Sequence, residues 1–239
     1  MAVEDRPDLM QGVLTRRQIW KEPVGVVGAI TPWNYPFEVS INKLGQALAT
    51  GNTVILKPAP DTPWFATLIG RLVAEGTDSP AGVLNVVTSS DHPQVDLISF
   101  TGSTATGKRI AEKGAATMKR LFLELGGKSA TIVDNSMTIA QEEIFGPVLV
   151  AIPYDDEDDA VRIANDSRYG LSGGVLSASL ERSLAVARRV RTGVMSINGG
   201  NYYFADVPFG GYKESGVGRQ NGTAGFDQYL ETKSLAWPA

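Results

Sequence analysis

The chain has no cysteine and a single histidine, His92, among its 239 residues. This excludes disulfides, thiolate nucleophiles, iron–sulfur clusters and Cys-ligated zinc, and it leaves so little soft-metal capacity that no metal site is expected. A basic excess is missing too: 22 Lys and Arg stand against 26 Asp and Glu, a net charge of -4. With that balance the chain as a whole cannot track a phosphate backbone, and no nucleic-acid partner is expected. No apolar run reaches the roughly 18 residues of a membrane span. The polar start MAVEDRPDLMQGVLTRRQIW has no signal-peptide core, so a soluble, cytoplasmic protein with no membrane partner is the expectation. What is present is 43% hydrophobic and 20% charged residues. That composition can bury a sizeable core, which rules out disorder, collagen and coiled coil and leaves one or two globular domains.

Short β-branched runs alternate with helix-like windows, the pattern of a parallel sheet covered by helices. Strands are predicted over Val24–Ile30, Asn52–Lys57, Val83–Val87, Val95–Phe100, Leu121–Leu123 and Ala130–Val133, and again over Val148–Ile152, Gly174–Leu176 and Gly193–Ile197. Pro36 stands where a helix would begin, and Phe37, Ile41, Leu44 and Leu48 recur at helical spacing until Gly51. Further helices are predicted over Thr62–Gly76, Ser103–Ala115, Asp156–Ala164 and Leu180–Val190. The acidic run Asp155–Asp159 reads as carboxylates meeting the positive end of a helix. Two joins are awkward. Only Thr88–Gln94 separate the strands ending at Val87 and starting at Val95, whereas neighbouring parallel strands need a crossover of about a dozen residues. These strands are expected either to be antiparallel or to have lost a helix near His92 and Pro93. At Ile132–Ser136 a buried-looking strand runs straight into the approach to another element.

Some short motifs fail on their chemistry. Gly170–Gly174 fits G-x-S-x-G, but a nucleophilic serine needs a histidine after it in the chain, and His92 comes before; a glycine-rich strand entry is the better reading. Tyr229 and Lys233 have the spacing of a pair that activates a hydroxyl on a helix, yet FDQYLETKSLAW alternates like a strand. Other positions are more informative. Phe100-Thr101-Gly102-Ser103-Thr104 ends an apolar strand and opens a helix, with Gly107 one turn on, so it can be a pyrophosphate cradle or a plain N-cap. Lys57, at a strand end, can reach ribose hydroxyls or simply be solvated. Glu124, followed by Leu125-Gly126-Gly127-Lys128, can be a general base of raised pKa or a partner of Lys128. Asn34, between Pro32 and Pro36, can donate to an oxyanion or cap the next helix.

Together these residues carry a resemblance. EPVGVVGAITPWNYPF, ALATGNTVILKPAP, PAGVLNVVT, VDLISFTGST, LELGGKSATIV, IAQEEIFGPV, YGLSGGV and PFGGYKESGVGRQNG, in this order, resemble the NAD(P)-dependent aldehyde dehydrogenase superfamily over nearly the whole chain. The resemblance implies an α/β fold: a Rossmann-like parallel sheet with helices on both faces, remnants of a catalytic α/β domain, and β-strands of an oligomerisation domain. Residues 23–134 would form the cofactor-binding region and 135–225 the remainder of the cofactor-binding and catalytic region. Residues 11–22 and 226–237 would be the oligomerisation strands, making a homodimer or homotetramer. Asn34 would stabilise the thiohemiacetal oxyanion and Glu124 would activate water for deacylation. Ile30, Pro32, Trp33 and Lys57 would contact NAD or NADP, as would Gly102, Ser103, Glu143 and Phe145, with Glu143 on the nicotinamide ribose. The substrate would be a small-molecule aldehyde.

The departures are as informative. In this family a cysteine attacks the aldehyde and is left as a thioester, and this chain has none. Relatives continue after ELGGKSATIV into a long catalytic stretch, whereas here IAQEEIFGPV follows at Asp134 and Asn135. A family helix between GVLNVV and VDLISF is expected to be missing, as is a portion before RPDLM. Two readings follow: a shortened or gapped aldehyde dehydrogenase, or a non-catalytic nucleotide-binding or subunit-assembly module built on that fold. In Lys57-Pro58-Ala59-Pro60, Pro60 takes the place of the glutamate that repels a 2′-phosphate in many NAD-preferring relatives, so NADP is expected to be tolerated.

Overall fold

The computed structural model describes residues 8–10, 13–88, 95–127, 141–147 and 149–238. In chain order these form β1 (Asp8–Met10), β2 (Val13–Pro23), β3 (Val26–Ile30), α1 (Pro36–Ala49), β4 (Thr53–Lys57), α2 (Trp64–Gly76) and β5 (Leu84–Val86). They continue with β6 (Leu97–Thr101), α3 (Thr104–Ala115), β7 (Arg120–Glu124), α4 (Glu157–Asn165) and β8 (Ser172–Val175). The last are α5 (Leu180–Ala187), β9 (Val194–Ile197), β10 (Gly216–Val217), α6 (Gly222–Asp227) and β11 (Leu230–Pro238).

A six-stranded sheet, ordered β10-β7-β6-β3-β4-β5, forms the centre. The chain enters in the middle at β3, winds out to β5, returns to β6 and winds out the other way to β7, all in parallel; only β10 is antiparallel. A reversal of this kind puts the helices formed before it and after it on opposite faces, and the core divides accordingly. Val27 and Ala29 pack with Leu44, Ala47, Ala66 and Ile69 of α1 and α2. Phe100, Leu123 and Leu125 pack with Ile110 of α3.

This order resolves the first awkward join. β5 and β6 are parallel but lie three positions apart in the sheet, so the connection is not a neighbouring crossover. Its ten residues from 87 to 96 reach roughly 33 Å when extended, enough to cross three strand spacings of about 4.8 Å and one strand length. The antiparallel alternative is thereby overturned, while the lost helix falls on residues 89–94, outside the described residues. His92 and Pro93, and the junction at Asp134 and Asn135 with the strand predicted at Ala130–Val133, lie outside the described residues.

Other expectations are corrected. The spacing that announces α1 gives only part of the face it buries: Leu44 is buried and Leu48 packs on the core, but Phe37 and Ile41 are outward, while Val39, Ser40, Lys43 and Ala47 face the sheet. Small Ser40 and Ala47 let the helix seat closely, and Phe37 instead meets Phe65 of α2 with ring centroids 6.0 Å apart. Residues 149–152 form no strand, because no strand among the described residues lies beside them to complete a ladder. The final strand begins at Leu230 rather than Phe226, which belongs to α6. Gly170–Gly174 does lead into a strand, β8, which pairs in parallel with β9, and the acidic run does cap α4, Asp156 accepting from the Asp159 N–H at 2.9 Å.

The third sheet is β1-β2-β11, in which β11 pairs antiparallel with β2 from Leu230↔Pro23 to Pro238↔Thr15. Among the described residues no helix is long and apolar enough to cross a membrane.

Candidate active site

The carboxyl ends of β3, β4, β6 and β7 open onto one cavity of about 960 Å³ at the point where the winding of the sheet reverses. Every residue assigned on sequence grounds to a catalytic or cofactor role lines it: Asn34 and Glu124; Ile30, Pro32, Trp33 and Lys57; Gly102, Ser103, Glu143 and Phe145. The register explains part of this convergence. Ile30 is opposite Lys57 across β3 and β4, and Thr101 is opposite Glu124 across β6 and β7, so four strand ends arrive together.

At one end of the cavity the chain leaves β6 through Gly102 and Ser103 into α3. The Gly102 N–H donates to the Glu124 carbonyl at 3.1 Å. A Cβ on Gly102 would sit 2.5 Å from the Phe100 ring, so no side chain obstructs the turn. Ser103 is a true N-cap, its Oγ accepting from the Thr106 N–H at 3.2 Å. That cap leaves the neighbouring amides and the positive end of α3 facing the cavity, an arrangement suited to an anion. Gly107 allows α3 to press on the sheet, since a Cβ there would meet Leu125 at 2.5 Å. Segment 141–147 adds a further wall: Phe145 stands at φ 57 with its ring 5.4 Å from that of Trp33, and the Glu143 carboxylate rests against the backbone of Gly126. An apolar wall, an anion-receptive helix start and the Lys57 ammonium together fit a nicotinamide dinucleotide.

Asn34 precedes α1, whose N-cap position is Tyr35, and no side chain caps that helix. Of the two sequence readings of Asn34, capping is thus the one the geometry does not use. Glu124 ends β7 between Thr101 on one side and Gly216 of β10 on the other. Burial pushes its carboxyl above the ordinary range; the charge of Lys43 and the Thr101 hydroxyl pull it back, and Glu143 adds to the rise. Lys43 is fully buried, and burial brings its ammonium down to about 8 against the opposing pull of Glu124. Its Nζ donates to Ser99 Oγ at 3.0 Å and lies 4.7 Å from the centre of the Phe122 ring. Ser99 in turn shares a 3.0 Å hydrogen bond with the Tyr229 hydroxyl.

Lys43 is the residue the sequence reading missed. The cation facing Glu124 within the described residues comes from α1, whereas Lys128, considered as its partner, lies outside them. The signal was there: Lys43 falls four residues from both Val39 and Ala47, a lysine on an apolar stripe. Tyr229 and Lys233 are not a functional pair, since Tyr229 is buried under the sheet while Lys233 bonds Glu22 at the surface.

Comparison with known proteins agrees with this geometry. The aldehyde dehydrogenase family profile matches residues 10–136 and 133–235. A 3-succinoylsemialdehyde-pyridine dehydrogenase from Pseudomonas sp is 33% identical over 352 aligned residues, covering 95% of this chain and 73% of that protein. An aldehyde dehydrogenase from Mycobacterium tuberculosis, solved with NAD+, superposes with a TM-score of 0.92 at 30% identity, over 99% of this chain and 73% of its own. Betaine aldehyde dehydrogenase from Staphylococcus aureus, also with NAD+, gives 0.92 at 27% identity, over 98% and 70%. The 352 aligned positions exceed the 239 residues here, and the two family matches meet at 133–136, where the sequence reading set the junction. A stretch that relatives carry internally is missing from this chain, which holds no cysteine. The chain belongs to the aldehyde dehydrogenase family.

Proposed function

We propose that the cavity is the cofactor and aldehyde site of an NAD(P)-dependent aldehyde dehydrogenase, retained in a chain that has lost the family's nucleophile. The observation behind this reading is the convergence of Asn34, Glu124 and the eight expected cofactor residues on one cavity. Bound NAD(P) would supply a hydride acceptor. The α3 start, with Gly102 and Ser103, receives its pyrophosphate; Lys57 and Glu143 serve its riboses; Trp33 and Phe145 screen it from water. The Asn34 amide donates to oxygen charge developing at the substrate carbonyl. Glu124, held above the ordinary carboxylate range by burial, takes the proton of an attacking water. The cofactor-binding region corresponds to residues 23–134. The sheet formed by β2 and β11 carries subunit assembly, an edge strand of nine residues being a natural pairing surface.

Without a cysteine the thioester route is closed to this chain, so it should bind cofactor but not oxidise aldehydes. The test combines quenching of Trp33 fluorescence on titration with NAD+ and NADP+ with an NAD(P)H assay over aliphatic and aromatic aldehydes. Saturable quenching without turnover is expected. Failure to bind either cofactor would sink the reading of the cavity, and turnover that disappears in Glu124→Gln would sink the claim of inactivity.

A further inference from the structure

The chain contains two Asn-Gly pairs, Asn198-Gly199 and Asn221-Gly222, and in both the asparagine takes a positive φ, 50 and 65. Neither asparagine lines the cavity. Asn-Gly is the dipeptide in which a backbone nitrogen most readily reaches the preceding side-chain amide, because glycine has no Cβ to hinder the approach. The two surroundings differ. Asn221 is 6% exposed, its Oδ1 accepts from Asn42 Nδ2 at 2.6 Å, and the Gly222 N–H donates to the Ala205 carbonyl at 2.9 Å. One added carbon on Gly222 would already lie 2.7 Å from the Asp206 carbonyl oxygen, so a ring has no room to close there. Asn198 and Gly199 instead stand exposed just past the end of β9. The Gly199 N–H has no hydrogen-bond partner among the described residues, and the space a Cβ would take is open for 4 Å. The Asn198 amide is polarised as well: Oδ1 accepts from the Ser177 N–H at 2.9 Å, and Nδ2 donates to the Ser177 carbonyl at 2.9 Å. The first bond draws electrons from Cγ and makes it a better electrophile. The second restrains the leaving nitrogen, but at an exposed sheet end where water can replace it. Together the two bonds tie the end of β9 to the chain leaving β8.

We propose that Asn198 is a site of spontaneous deamidation, and that its conversion unties β9 from the chain leaving β8. The Gly199 nitrogen, having given its proton to hydroxide, bonds to Asn198 Cγ. The Cγ–Nδ2 bond then breaks, and the nitrogen leaves as ammonia with a proton from water, so a five-membered imide remains. Water adds to either imide carbonyl: breaking the new Cγ–N bond gives aspartate, and breaking the original peptide bond gives isoaspartate. Nothing is oxidised or reduced. Aspartate keeps an acceptor for the Ser177 N–H but turns an oxygen without a hydrogen toward the Ser177 carbonyl. Isoaspartate lengthens the backbone by one carbon in a turn that depends on φ values of 50 and 79. Either product loses the donation to Ser177.

The full-length chain is aged folded at pH 7 and pH 9, and unfolded in concentrated urea, then mapped by proteolysis and mass spectrometry. The map reads amide-to-acid conversion at each asparagine and separates aspartate from isoaspartate. In the folded chain residue 198 should convert roughly tenfold or more faster than residue 221, the equivalent of one buried hydrogen bond that need not be broken. Conversion should be faster at pH 9, and in urea the two sites should convert at similar rates. Equal folded rates, faster conversion at 221, or no folded conversion at 198 while the urea sample converts would overturn the site. A preference as large in urea as in the folded chain would show that the fold does not select it. Asn198→Asp stands in for one product and should lower the urea midpoint and speed hydrogen exchange at Ser177. Asn201→Asp adds the same charge three residues on, where the acceptor for the Tyr203 N–H survives the change, and should leave both readouts unmoved. An Asn198→Asp chain that behaves like Asn201→Asp would overturn the untying of β9.

Discussion

Replacing Lys43 with methionine should make the protein more stable at pH 7. The ammonium is fully buried, and burial brings it to about 8 from an ordinary 10.5 even with Glu124 pulling the other way. That gap corresponds to about 3 kcal/mol. Its sign follows from proton binding: the unfolded chain holds the proton more tightly, so the cost falls on the folded state below pH 8 and fades as pH climbs from about 8 toward 10.5. Methionine keeps the volume and removes the charge. Ser99 is not orphaned, because it keeps the Tyr229 hydroxyl at 3.0 Å, and a Glu124 without its cation moves further toward the neutral acid. Breaking a buried pair usually destabilises by stranding the partner's charge, but a carboxyl raised by burial sheds that charge by taking up a proton more readily than an exposed one. Lys43→Met should therefore gain up to about 3 kcal/mol at pH 7, on the order of 6–12 °C in melting midpoint for a chain of this size. By pH 10 the gain should shrink to below about 1 kcal/mol. Urea unfolding of both proteins at pH 7 and pH 10 measures it, and the difference between them cancels the tyrosines that also titrate. A variant less stable at pH 7, or a gap indifferent to pH, would refute the reasoning.

Other perturbations have equally definite outcomes. Pro60→Glu should shift cofactor preference toward NAD, since a carboxylate there would repel a 2′-phosphate; paired NAD+ and NADP+ titrations read the ratio, and an unchanged ratio would show that Pro60 does not govern it. Gly216→Ala should cost about 3 kcal/mol or more, because φ is +135 and the new Cβ would lie 2.0 Å from the Leu123 carbonyl oxygen, which no side-chain rotation relieves; denaturant midpoints test this, with a change under about 1 kcal/mol as the contrary result. Light scattering at micromolar concentration should show dimers or tetramers, and a persistent monomer would count against assembly through β2 and β11.

Much of this was legible in the chain, for identifiable reasons. The strands β3, β4 and β6 are short apolar runs buried on both faces, so they read as near-continuous hydrophobic segments, and the Pro36 start and Gly51 stop of α1 are local chemistry. The cofactor residues were legible because strand ends and glycine turns are local features that a resemblance can carry across. What escaped depends on which surfaces meet. The buried face of α1 could not be chosen from the sizes of Phe37 and Ile41, because close seating on a sheet favours Ser40 and Ala47. Lys43 was missed with that face, and Glu124 was offered a neighbour in sequence when its counter-charge comes from another element. The order of β5 and β6 was misjudged by taking neighbours in sequence for neighbours in space. The failed strand at 149–152 shows the same limit, since an apolar run makes a ladder only where a partner strand exists.

The pairing of β2 with β11 places residue 15 directly across from residue 238, about 5 Å away. Topologically the described fold is close to a ring, and every wall of the cavity is threaded between those two points. Where such a ring is cut matters little to what it encloses. Joining residue 238 to residue 13 through a short linker, and opening the chain instead in the exposed stretch 77–82, would keep the strand order, the reversal point and the cavity, and would convert the present long-range pairing of β2 with β11 into a local hairpin that closes early in folding.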